Sequence, residues 1–170
     1  MNMLYEVIDN FLSQKEFEEI KLEIMNENMA QWVYTPNVTG MDSEEDNLKK
    51  WKYFYMSHAI YSGGIITSPH YDHLIPIFEQ LDIKALIRIK CNMYPNTQEI
   101  YEHDKHTDYD FSHKAAILYI NTCDGYTKLA DGTKIDSVEN RMLLFDASTP
   151  HQSTTTSNTT ARFNINFNYF

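Results

Sequence analysis

His106-Thr107-Asp108 sets an imidazole and a carboxylate two positions apart, so on an extended backbone both side chains leave one face and reach a common point. A second histidine, His151, follows Pro150 in a later strand-like run. Two imidazoles and one carboxylate on one face of an octahedron suit non-haem Fe(II), because the other positions stay open for a cosubstrate and O2. Alone, a His-x-Asp pair is a weak signal, and the chain contains another, His70-Tyr71-Asp72. Context separates the two. His70 and Asp72 fall at the start of an expected helix, where Asp72 complements the positive N-terminus, whereas His106 and Asp108 lie between expected strands. His103 and His113 have no partner in this pattern and are expected to be exposed or to stand behind the site.

Arg162 lies eleven residues after His151, in a run that alternates Phe163, Ile165 and Phe167 with Arg162, Asn164 and Asn166. An arginine on the polar, inward side of a small barrel strand is costly unless a carboxylate pairs with it. A dicarboxylate would supply that partner, one end chelating iron and the other meeting the guanidinium as a bidentate pair. A salt bridge to one of the chain's own acids, or an outward-facing arginine, satisfies the same pattern. Asn92 and Tyr94 share a parity at the end of an earlier strand. They either enter the site as hydrogen-bond donors to a cosubstrate carboxylate or sit at the polar edge of the core.

The elements that must hold these residues run from helices to strands. Leu4 to Ile8 reads as a short strand, and Ser13 with Glu16 has the spacing of a capping box opening a helix to about Met29, with Phe17, Ile20, Leu22, Ile24 and Met25 as its apolar set. A polar loop from about Thr35 to Asn47 precedes a strand over Trp51 to Ile60. Ser68 and Pro69 then offer an N-cap and a first-turn proline for a helix carrying Leu74, Ile75, Ile77, Phe78 and Leu81, with Pro76 as a distortion. From residue 84 the period changes to two, with Ala85, Ile87, Ile89, Cys91 and Met93 against Lys84, Leu86, Arg88, Lys90 and Asn92. Strand-like runs follow at 114–121, 126–129, 133–138, 141–146, 151–156 and 160–169. Helices followed by short strands without crossover helices predict a mainly β, α+β fold: an antiparallel jelly-roll core, about 84–170, with a helical support, about 1–83, in one domain spanning 1–170. The connections from Thr35 to Lys50 and from Asn96 to Lys105 are expected to form a lid.

Bulk composition narrows the classes further. A chain of 170 residues with 42% apolar content can bury a real core. A formal charge of -10 repels phosphate backbones and disfavours broad nucleic-acid binding. Lys49, Lys50 and Lys52 beside Trp51, Tyr53, Phe54 and Tyr55 form a basic and aromatic cluster, read as a solvated strand edge rather than a single-strand grip. Cys91 and Cys123 lack zinc spacing and are expected as buried free thiols. No long apolar run and no signal-peptide layout at the start predict a cytoplasmic protein without membrane contact.

Taken in order, YEVIDNFLSQKEFEEI, CNMY, HTD, ILYINTCDGYTKL, ENRMLLFDASTPH and RFNINF resemble the iron(II)/2-oxoglutarate-dependent oxygenase superfamily, particularly its small prolyl-4-hydroxylase-like members, including those of phages. The matched pieces cover nearly the whole chain. The resemblance implies a double-stranded β-helix, the cupin-like jelly-roll. It also implies His106, Asp108 and His151 as catalytic iron ligands and Arg162 as the anchor of the distal 2-oxoglutarate carboxylate. Asn92 and Tyr94, with Arg162 and Asn164, are similar to cosubstrate contacts of AlkB-type nucleic-acid-demethylating oxygenases. The implied cofactors are Fe(II), 2-oxoglutarate and O2, with ascorbate as a reductant. The implied reaction is hydroxylation of an unactivated C–H bond with release of succinate and CO2, on a prolyl or other side chain of a peptide or protein. For a phage-encoded chain the compartment is the host cytoplasm. Asp124 stands where the family has the first glycine of a turn and Leu129 where it has phenylalanine, which are packing differences. Prolyl hydroxylases often carry lysine at the position of Arg162, so arginine favours the wider superfamily. The alternatives are a zinc-dependent hydrolase on the same ligands and a noncatalytic jelly-roll binding module, with nucleic-acid demethylation as the other substrate class within the enzyme reading.

Overall fold

The computed structural model describes residues 5–25, 31–36, 38 and 54–170. Strand β1 (Tyr5–Ile8) leads into helix α1 (Gln14–Met25). Its opening is the expected capping box, with the Ser13 amide donating to Glu16 Oε2 at 3.1 Å and the Glu16 amide to Ser13 Oγ at 3.4 Å. Phe17, Ile20 and Ile24 recur at helical spacing and are buried, each contributing roughly 1.5–3 kcal/mol by leaving water. Leu22 and Met25, expected in that apolar set, fall off the stripe and are exposed. Residues 26–29 of the expected helix lie outside the described residues.

Strands β2 (Val33–Thr35), β3 (Tyr55–Ser62) and β4 (Ile65–Ile66) follow. Most of the expected loop and lid segment, and Lys49 to Tyr53 of the basic cluster, lie outside the described residues. The expected helix after Ser68 divides into a 3-10 helix, Pro69–Leu74, and helix α2, Ile75–Gln80. Ser68 Oγ caps the first, accepting from the His70 amide at 3.3 Å. Pro76 falls in the first turn of α2, where no intrahelical donor is needed, so it starts a helix instead of distorting one.

The remaining strands are β5 (Leu86–Pro95), β6 (Lys114–Tyr119), β7 (Tyr126–Leu129), β8 (Lys134–Asp136), β9 (Arg141–Asp146), β10 (His151–Gln152) and β11 (Ala161–Tyr169). Among the described residues they form two antiparallel sheets. The larger has the order β1-β9-β6-β11-β5-β3-β2, with β4 on β3, and the smaller is β10-β7-β8. This is the predicted jelly-roll, and β1 to β4 extend its larger sheet. The run expected as a strand over 151–156 pairs regularly only at His151–Gln152 and continues as isolated bridges at Thr154 and Thr156.

Alternation along β11 decides what each face of the large sheet does. Ile165, Phe167 and Tyr169 join Phe17, Ile20, Ile24, Leu74 and Ile77 in a core under the helices. Ala115, Ile117 and Tyr119 of β6, with Leu143 and Phe145 of β9, meet Leu129 and Ile135 of the small sheet. Arg162, Asn164, Asn166 and Asn168 take the opposite face from the first core, as the period-two pattern requires. Cys91 and Cys123 are free and buried. No helix among the described residues is long and apolar enough to cross a membrane.

Candidate metal and cosubstrate site

His106 and His151 face each other as an antiparallel bridge, each amide donating to the other's carbonyl at 3.0 and 2.9 Å. Their rings lie 4.6 Å apart. Asp108 completes the group, with one ligand atom from each of the three residues within 4.8 Å of the others. The Nδ1 atoms of His106 and His151 face the carbonyls of Asp104 (3.4 Å) and Thr149 (3.2 Å). That contact favours the Nδ1–H tautomer and leaves each Nε2 lone pair for a metal. Burial pushes the His106 imidazole down to about 4, aided by the neighbouring His151, and burial likewise lowers His151. Both rings are therefore neutral at pH 7, the form that ligates.

Asp108 is held on both oxygens. Arg88 Nη2 donates to Oδ1 at 2.8 Å, while Asn166 and Asn168 Nδ2 donate to Oδ2 at 3.1 and 2.8 Å. Burial alone would raise this carboxyl, but the Arg88 charge and the two amide donors outweigh it and hold it well below the usual carboxylate range. Asn168 Oδ1 accepts from Arg88 Nε and Nη2 at 3.2 and 2.9 Å, and Asn168 Nδ2 approaches His113 Nε2 at 3.1 Å. A carboxylate has about four lone-pair sites, so these bonds fix its orientation and still leave capacity for a metal.

A cavity of about 240 Å³ opens beside the three ligands and is lined by Tyr55, Arg88, Lys90, Asn92, Tyr94, Thr127, Ser153, Asn164 and Asn166. Asn92 Nδ2 donates to Asn164 Oδ1 at 2.9 Å, and Asn92 Oδ1 is buried without a partner. Burial pushes the Tyr94 phenol up to about 12, so it remains a hydrogen-bond donor across the ordinary pH range. The structure thus brings Asn92, Tyr94 and Asn164 to one cavity with His106, Asp108 and His151.

Arg162 lies behind the wall formed by Tyr94 and Thr127. It is fully buried, at 0% exposure, with Nη1 donating to the Thr154 carbonyl at 3.2 Å and Nη2 to Thr127 Oγ1 at 3.1 Å. Its carbon Cζ stands 5.3 Å from the Tyr94 ring centroid and 5.5 Å from that of Tyr119. Nε has no partner, and no carboxylate of the described residues pairs with the guanidinium. The outward orientation left open by the sequence is not adopted, and no internal salt bridge forms among the described residues. Gly125 packs against this side chain so closely that a Cβ there would stand 2.6 Å from Arg162 Cδ. Asp124 ties the same turn to the loop after β10, accepting from the Ser157 amide at 2.9 Å and Thr156 Oγ1 at 2.7 Å. The departure from glycine at this position therefore carries its own bonds.

Of the remaining expectations one needs correction and two hold. Of the two places left open for His103 and His113, the structure takes the one behind the site: both are buried, His103 bonded through Nδ1 to Ser153 and His113 set behind Asp108 through Asn168. The segment from Asn96 to Lys105 is not a free lid, because its amides and carbonyls bond to Ser153–Thr160 and close the barrel wall. Asp72 lies in the first turn of the 3-10 helix after Ser68, as expected, and is not in a ligand group with His70. Sequence reasoning also passed over Arg88, Lys90, Thr127, Asn166 and Asn168 as site residues. The parity already used for Asn92, Tyr94, Arg162 and Asn164 would have found the four that lie on β5 and β11.

No protein-family model and no curated protein sequence matches the chain. Solved structures do match it in fold. A prolyl hydroxylase from Trichoplax adhaerens, in complex with a hypoxia inducible factor oxygen degradation domain peptide fragment, superposes with a TM-score of 0.70 at 16% identity, covering 98% of this chain and 83% of that one. A prolyl-4-hydroxylase from Pseudomonas putida gives 0.68 at 15% identity, over 99% and 92% of the two chains. The viral collagen prolyl hydroxylase of Paramecium Bursaria Chlorella virus-1, as its 2-oxoglutarate complex, gives 0.63 at 12% identity, over 98% and 96%. At these identities the likeness is one of fold: this chain is built on the scaffold of the prolyl hydroxylases and 2-oxoglutarate-Fe(II) oxygenases.

Proposed function

We propose that the chain is a single-domain Fe(II)- and 2-oxoglutarate-dependent dioxygenase that hydroxylates an unactivated C–H bond. The observation that carries this reading is Arg162. A fully buried guanidinium without a carboxylate partner is an expensive arrangement, and its wall residues Tyr94 and Thr127 also line the cavity beside two histidines and an aspartate. An anionic ligand bound at the Tyr94–Thr127 end of that cavity is the counter-ion Arg162 lacks. The donor set fits the metal as well: two neutral imidazoles and one ionised carboxylate suit Fe(II) and leave further coordination positions open.

In this reading His106, Asp108 and His151 would hold the iron, which supplies O2 activation coupled to 2-oxoglutarate decarboxylation when both are bound. Arg88, Asn166 and Asn168 fix the orientation of Asp108. Asn92, Asn164 and the protonated Tyr94 present donors to cosubstrate oxygens, and Arg162 neutralises the distal carboxylate. Lys90, whose Nζ donates to the Tyr55 hydroxyl at 3.1 Å, adds positive charge at the cavity wall. That charge favours a dianion locally in a protein of net charge -10.

For the primary substrate we favour a side chain of a peptide or protein, proline first. The support is the fold shared with prolyl hydroxylases, one of them carrying a peptide. The acidic net charge disfavours a nucleic-acid substrate.

The test is anaerobic titration of the Fe(II)-loaded protein with 2-oxoglutarate, followed by its weak visible charge-transfer band. The band is expected in the wild-type protein, absent in His106→Ala, and displaced to higher cosubstrate concentration in Arg162→Ala. Iron bound without any band would refute the oxygenase reading. Mass spectrometry of proline-containing peptides after aerobic turnover then separates prolyl hydroxylation from other targets.

A further inference from the structure

Among the described residues one other group of side chains has metal-ligating composition: Glu23, His70 and His73. His70 and His73 lie three apart on the 3-10 helix Pro69–Leu74, whose period of three residues sets their side chains one above the other. Glu23 comes from the end of α1. His70 Nδ1 is 3.1 Å from Glu23 Oε2, and one ligand atom from each of the three residues lies within 4.8 Å of the others. The pair Glu23 and His70 would make sense as a hydrogen-bonded ion pair alone. His73 would not, since its ring is exposed, stands 6.4 Å from the His70 ring, and makes no hydrogen bond among the described residues.

The surroundings prepare the group. The His70 ring meets the His58 ring edge-on at 5.9 Å, and His58 Nε2 is 2.8 Å from Ser68 Oγ, the same atom that accepts the His70 amide. His70 is thus held from behind by a buried polar chain. Helix α1 ends with no basic residue in its last turn, so its negative end and the Glu23 carboxylate lie together without a lysine or arginine from that turn. A dication there would complement both.

We propose that Glu23, His70 and His73 form a second site for a divalent transition metal of the Zn2+ class, completed by water. Two imidazoles and a carboxylate select such an ion over Ca2+ or Mg2+, which prefer oxygen ligands throughout. With metal–ligand bonds of about 2.0–2.1 Å, tetrahedral ligand atoms stand about 3.3 Å apart. The group therefore has to contract from its present spread, and the exposed His73 side chain has the rotamer freedom to do so. The bound ion would pin α1 to the 3-10 helix. Both elements feed the same core, through Phe17, Ile20 and Ile24 on one side and Leu74 on the other.

The inference is independent of the oxygenase reading, and the experiment keeps the two apart. His106→Ala protein is loaded with ZnCl2, gel-filtered, and assayed for zinc content and thermal unfolding. About one zinc per chain and a raised melting temperature are expected, both lost on adding His73→Ala and zinc content lowered by Glu23→Gln. In the otherwise wild-type chain, His73→Ala should lower zinc content from about two per chain to about one while leaving 2-oxoglutarate binding unchanged. Zinc content that His73→Ala leaves unaltered in both backgrounds, or a folded His106→Ala protein that retains no zinc, would overturn the proposal.

Discussion

Gly125→Ala tests the architecture around the buried guanidinium with a single methyl group. The added carbon would stand 2.6 Å from Arg162 Cδ, 2.7 Å from the Thr155 carbonyl oxygen and 3.1 Å from Thr154 Oγ1. Carbon atoms rest at about 3.5–4.0 Å, so the arginine stem has to retreat by about 1 Å. It has little room, since it is fully buried and its two Nη atoms are committed to Thr154 and Thr127. The carbonyl oxygen belongs to the backbone, which is costlier to move. Gly125 is not among the positive-φ residues, so the substitution carries no backbone strain, and on chain entropy alone it would stabilise by about 0.4–1 kcal/mol. Overpacking of this kind costs about 1–3 kcal/mol and is expected to win. For a domain of this size that is a fall in melting temperature of about 2–12 °C, read by circular dichroism on the metal-free protein. Because the displaced group is the proposed carboxylate anchor, 2-oxoglutarate affinity should also drop, by about tenfold for each 1.4 kcal/mol of lost pairing. An unchanged or higher melting temperature together with an unchanged charge-transfer titration would show that the wall yields freely, and would refute the packing argument.

Two further outcomes follow from the same chemistry. Arg162→Met removes a buried charge that no carboxylate of the described residues neutralises, so the metal-free variant should melt no lower than wild type. At a cosubstrate concentration a hundred times Kd, wild type gains about 2.7 kcal/mol from ligand binding, and the variant should lose this gain; collapse of the unliganded variant would contradict the reading. His103 is buried and its imidazole is lowered from 6.5 to about 4, chiefly by burial. The unfolded chain takes up this proton near pH 6.5 and the folded chain only near 4, so the unfolded state binds more protons between those values. Stability is therefore complete above about pH 6.5 and falls as pH drops toward 4, by roughly 3 kcal/mol from this residue. Urea midpoints measured from pH 7 to pH 4.5 should decline, and a flat profile would show that His103 is not held neutral.

What could be seen in the sequence was whatever a short period carries. The alternation of Phe163, Ile165 and Phe167 with Arg162, Asn164 and Asn166 was enough to predict both a strand and its polar face, and that face is the cavity wall. The capping box at Ser13 and Glu16 and the cap at Ser68 were legible because their partners are within three residues. Contacts made through space were not. Nothing local links Arg88 to Asn168, or His113 to Asn168, since the fold closes those distances only by laying β11 between β5 and β6. Asn96 to Lys105 looked like a lid because its polarity was visible and its pairing with Ser153–Thr160 was not. The proposed second metal group is hidden in the same way: Asp72 lies two residues from His70, while the partner Glu23 lies forty-seven residues upstream.

The pairing of β11 on both edges, with β5 on one side and β6 on the other, has a consequence for how this protein can change over generations. A point substitution at Phe167 touches only the packing under the helices, and one at Asn166 touches only the cavity. Insertion or deletion of one residue within β11 is different in kind, because every side chain beyond it would exchange faces, sending asparagines beneath the helices and aromatic rings toward the histidines. Stability and chemistry would fail in a single step, and no second substitution could restore either. Lineages of this chain should therefore vary at alternate positions of β11 almost independently while its length stays fixed, with length changes accepted in the exposed turns such as Gly63-Gly64 and Asp131-Gly132.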